Sequence, residues 1–96
     1  MLNIKEIDIV VASREMELRF EDGRTETFLV RVGMPYEYGD GFDWCCPYEI
    51  GTESNRKLRG IFGMDSIQAL ELAMKIIKVE TEYWEKFRVD EGSPKT

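Results

Sequence analysis

The chain has 96 residues, a length that supports one domain around a single modest core. Lys and Arg number 13 against 19 Asp and Glu, a net charge of −6, which works against binding to phosphate backbones. Histidine is absent, which excludes Ser-His and Cys-His nucleophiles, imidazole bases and His-containing zinc sites.

The opening MLNIKEIDIV lacks a basic region followed by a long apolar run, and no stretch approaches the roughly 18 apolar residues of a membrane span. A cytoplasmic protein with no membrane partner is expected. Ile7, Ile9 and Val11 have strand period, as do Met16, Leu18 and Phe20, which alternate with Glu15, Glu17 and Arg19. A two-residue Ser13-Arg14 turn between them would pair Val11 with Met16. Phe28, Val30 and Val32 continue the pattern after Asp22-Gly23. A two-residue loop there would pair Phe20 with Thr25 and split the apolar residues between faces. A three-residue loop, Glu21-Asp22-Gly23, pairs Phe20 with Arg24 and Met16 with Phe28 and keeps them together, with Gly23 left-handed.

Gly33 to Gly41 reads as a loop from its Gly, Pro and Asp content. Phe42 to Ile50 reads as a fourth strand with Phe42, Trp44, Cys46, Tyr48 and Ile50 on one face. Pro47 within it calls for an edge or a bulge. Gly51 to Asn55 is a turn, and Lys57 to Phe62 a fifth strand weakened by Gly60. A long helix then opens with Asp65 as N-cap and Gln68 three residues on, a capping-box spacing. Ile67, Leu70, Met74, Ile77, Thr81 and Trp84 form its apolar stripe, with Ala73 beside them, and the helix fades near Phe87 or Arg88. The expected fold is α+β: an antiparallel meander of about five strands with one long C-terminal helix packed on one face, a single domain over 1–89 and a flexible tail over 90–96.

The segment GFDWCCPYEIGT followed by RGIFGMDSIQALELAMKII resembles a domain-of-unknown-function family of small bacterial proteins. The likeness rests on a strand carrying Trp and Cys and on a Gly-x-Asp-Ser-x-Gln-Ala-Leu-x-Leu-Ala helix start, here Gly63, Asp65, Ser66, Gln68, Ala69, Leu70, Leu72 and Ala73. It implies the fold and a bacterial origin, and it brings no catalytic residues.

Cys45 and Cys46 are adjacent, whereas zinc and redox pairs are spaced so that both sulfurs converge. Neighbours on a strand face opposite ways, so Cys46 is expected in the core beside Trp44, and Cys45 is the candidate reactive thiol. From Tyr36 to Glu53 inclusive there are five carboxylates and no Lys or Arg. Tyr36, Glu37, Tyr38, Asp40 and Asp43 are therefore the candidate partner-binding residues, aromatic anchors within acidic surroundings that suit a basic protein. Gly60-x-x-Gly63 lacks the ending of a phosphate loop and reads as a turn. Arg56, Lys57 and Arg59 are too few to suggest nucleic acid. Tyr83 and Phe87 leave the helix stripe and offer, with a sheet edge, a route to a homo-oligomer. No catalytic constellation, cofactor or metal site is expected. The sequence therefore points to a non-enzymatic interaction module, immunity- or antitoxin-like in its masking of a basic partner. The alternative is a small-molecule binder or enzyme using the acidic 33–43 loop and Cys45.

Overall fold

The computed structural model describes residues 2–3, 6–39 and 43–89. Asp40, Phe42 and the expected tail lie outside the described residues. In chain order the elements are β1 (Leu2–Asn3), β2 (Val10–Arg19), β3 (Thr25–Gly33), β4 (Tyr36–Tyr38), β5 (Asp43–Thr52), β6 (Asn55–Gly63) and α1 (Ser66–Glu85). The architecture is α+β, as expected. The long strands β2, β3, β5 and β6 form an antiparallel meander, β4 joins β5, β1 flanks β6, and α1 packs mainly over β5 and β6.

Register follows burial. Met16 pairs with Phe28, Val30 with Ile50 and Val32 with Tyr48, so alternate residues of three strands bury against the helix. Leu18, Phe28, Tyr48, Ile50 and Cys46 are the largest side chains on that face with essentially no exposure. The turn before β3 is the three-residue one: the Phe20 N–H donates to the Arg24 carbonyl at 2.9 Å, and Gly23 has φ +90°.

The chain before Met16 departs from expectation. No turn forms at Ser13-Arg14. One strand runs through it, with Ser13 opposite Arg31 and Arg14 opposite Val30. Ser-Arg offers no residue suited to a tight hairpin, whereas β3 is long enough to pair the whole of β2. A register shift between Val10 and Ala12 then releases the strand start. Ile9, Val10 and Val11 are consequently exposed. Ile7 instead lies over Gly33 and Pro47, close enough that a Cβ on Gly33 would meet both side chains at 2.7 Å.

Gly33 to Gly41 contains a strand that the composition conceals. β4 pairs Tyr36 with Cys45 and Tyr38 with Asp43. The last β3 pair is Val32–Tyr48, so three residues, Gly33 to Pro35, face two, Cys46 and Pro47: a bulge. Pro47 falls where β5 exchanges one partner for the other, which is how a residue without an N–H sits in an interior strand.

The N-cap forms as read. Asp65 is extended and its Oδ1 accepts from the Gln68 N–H at 2.8 Å. Gln68 returns the bond to the Met64 N–H at 2.7 Å, one residue earlier than a capping box would. The buried stripe is rotated from the expected one. Ala69, Ala73, Ile77 and Thr81 face the sheet, while Ile67 is 68% and Met74 45% exposed. Small residues win because the helix sits close: a Cβ on Gly63 would lie 2.4 Å from the Ala69 nitrogen. After the helix, Phe87 to Val89 run along β2, with Arg19 N–H donating to Phe87 and Val89 N–H to Glu17, both at 2.9 Å.

Candidate functional site

The bulge that starts β4 determines what lies on the sheet face away from α1. Because Tyr36 is opposite Cys45 and Phe62 opposite Cys45 on the other side, the three make one row across β4, β5 and β6. Tyr38, two residues on, stacks with Phe62 at a ring-centroid distance of 4.9 Å and 58°. Tyr36 and Tyr38 are each 40% exposed and Phe62 36%. This is an aromatic platform on an open face, where the same area would otherwise favour burial.

Its surroundings are acidic. Asp43, opposite Tyr38, is exposed, as is Asp8. Asp8 acts electrostatically on Tyr36. No Lys or Arg occurs from residue 32 to residue 55. Of the candidate residues, the structure brings Tyr36, Tyr38 and Asp43 together on the open face. Glu37 alternates to the other face, beside Trp44. Asp8 and Phe62 complete the patch and carried no sequence signal as site residues. Their place depends on the path of the chain before β2 and on the pairing of β5 with β6, neither of which local pattern reveals.

Cys45 does face away from Cys46, as the strand period requires, but its thiol has no exposure. Tyr36, Tyr38 and Phe62 surround it, and the Tyr36 hydroxyl shares a hydrogen bond with it. That bond, followed by burial, pushes the Tyr36 phenol up to about 12. Burial pushes the Cys46 thiol up to about 11, with Cys45 adding to the effect. Both sulfurs are closed off from solvent, and burial holds the Cys46 thiol protonated, whereas nucleophilic chemistry requires an accessible sulfur.

Farther along the open face, Glu49 is 7% exposed and held by Arg31 at 2.6 Å and by Arg56 at 3.5 Å. The three basic residues of β6 do not form one patch. Arg56 turns to Glu49, Lys57 reaches Glu80 at 3.6 Å on the helix side, and Arg59 donates to the Leu58 carbonyl at 3.3 Å. Tyr83 is exposed, with Lys86 at 4.3 Å over its ring, while Phe87 packs against Phe20 and Trp84. Among the described residues no group of three or more Cys, Asp or Glu is arranged to hold a metal ion, and no helix is long and apolar enough to cross a membrane.

No curated protein and no solved structure matches the chain. Residues 12–90, a span that begins near the start of β2 and takes in β3 to β6 and α1, match a family described as a domain of unknown function, DUF6968. With most of its length covered by that match, the chain belongs to the DUF6968 family.

Proposed function

We propose that this domain is a non-enzymatic binding module whose contact surface is the acidic, aromatic end of the open sheet face, and that its partner is a basic protein. The observation that carries the reading is the Tyr38–Phe62 platform beside Tyr36, exposed and bordered by Asp8 and Asp43. Rigid aromatics supply contact area at low entropic cost, and the two carboxylates at their border steer a cationic surface toward them. Masking of a basic partner, as an immunity protein or antitoxin does, is the form this activity takes. The enzyme alternative loses its nucleophile, because Cys45 is enclosed by the same aromatics that form the surface.

The test is affinity capture from the native host, comparing the natural chain with a Tyr38→Ala/Phe62→Ala double variant. The natural chain should retain a basic protein that elevated salt releases, and the variant should lose it. Capture that survives both the variant and the salt would overturn the reading.

A further inference from the structure

Leu72, Ile76, Val79 and Tyr83 recur along α1 at the alternating four- and three-residue spacing of a seam between two packed helices. This stripe is separate from Ala69, Ala73, Ile77 and Thr81, which face the sheet. Val79 is 69% and Tyr83 55% exposed, and Leu72 and Ile76 are half-buried beside them. A branched residue such as Val79 gains nothing from an exposed helical position, where it forfeits side-chain freedom. Ile76, Val79 and Tyr83 line a shallow apolar depression edged by Lys75 and Glu80. Glu80 marks the side toward β6, where Lys57 reaches it at 3.6 Å. Lys75 and Glu82, two heptad-equivalent positions, run along the other side. Both are exposed, and neither is ion-paired among the described residues.

We propose that α1 pairs antiparallel with α1 of a second copy of this chain along this seam. The stripe is complementary to its own reversal. A two-fold axis between Ile77 and Lys78 sets Leu72 against Tyr83 of the second copy and Ile76 against its Val79, and each contact occurs twice. The same axis brings Lys75 beside Glu82 of the second copy, again twice. The two charges left without a partner in one chain thus find each other between two. A parallel pair is the poorer arrangement, since it would turn Lys75 toward Glu80, which Lys57 already holds. Three turns of helix give an interface near the lower size limit of specific ones, about 1,000 Å² in total. The dimer is therefore weak and depends on concentration. The seam belongs to the helical layer, away from the open sheet face, so the dimer and the proposed partner surface stand or fall separately.

The experiment is sedimentation equilibrium of the full chain from micromolar to millimolar concentration at low salt. A monomer–dimer equilibrium is expected. Val79→Glu, a good helix former at an exposed position, should remain monomeric throughout with an unchanged far-UV circular dichroism spectrum. Lys75→Glu and Glu82→Lys each place two like-charge contacts in the dimer and should weaken it about tenfold. Combined, they restore the attraction with its sign exchanged and should return the dissociation constant close to that of the natural chain. Three results would overturn the proposal: a monomer at millimolar concentration, a dimer that persists in Val79→Glu, or charge reversals without effect or without mutual rescue. The first of these would leave the seam to a different protein.

Discussion

Thr81 occupies a position that the packing would fill as well with a valine. Thr81→Val removes an unpartnered buried hydroxyl at nearly constant shape, so stability should rise by about 1 kcal/mol. The urea midpoint should increase at unchanged slope, and a decrease would show that the hydroxyl has a partner in the folded state. Single residues also weigh on the alkaline limit, the Tyr48 phenol among them, which burial raises. Folding raises the Cys46 thiol from 9.0 to about 11 and the Tyr36 phenol from 10.0 to about 12. The folded state thus holds these protons more tightly than the unfolded chain. Their contribution is complete below the unfolded values and is lost as pH rises through the folded ones. Thermal midpoints measured from neutrality upward should begin to fall near pH 9, and Tyr36→Phe should flatten the part of the fall above pH 10. A midpoint constant to pH 12 would contradict the assignment.

At the scale of elements, the helix start was legible because its determinants are local: an acceptor at Asp65 and a return bond from Gln68 within one turn. Asp65→Ala should cost about 1 kcal/mol and speed hydrogen exchange at the Gln68 amide. The turn at Gly23 was legible for a different reason, since a one-residue slip would have turned Phe28 and Val30 out of the core. Elements decided by distant partners were not legible. β4 is a strand because β5 extends beyond the end of β3, and nothing in its Gly- and Pro-rich neighbourhood announces that. The start of β2 is not legible locally: Ile7 to Val11 has strand period, yet Ile7 covers Gly33 and Pro47. Size at helical spacing points to Ile67 and Met74, and the structure exposes both. Close approach to the sheet selects Ala69 and Ala73 over Ile67 and Met74.

For the whole molecule, one sheet separates two surfaces of different chemistry. The face under α1 holds the core, and the open face holds a clamped carboxylate at Glu49 and the aromatic platform with its acidic border. Part of the candidate site was readable as composition: Tyr36, Tyr38 and Asp43 were named by an acidic, aromatic stretch without cations. The rest was not, because Phe62 and Asp8 reach the patch through strand order and chain crossing. The same packing that assembles the platform removes Cys45 from solvent, so the residue with the most conspicuous chemistry contributes shape instead. The most direct test of the account is an amide chemical-shift map of the chain with its captured basic partner. Perturbations concentrated at Asp8, Tyr36 to Tyr38, Asp43 and Phe62, and diminished by salt, are the predicted result. Perturbations confined to α1 and β2, with those residues unmoved, would contradict it.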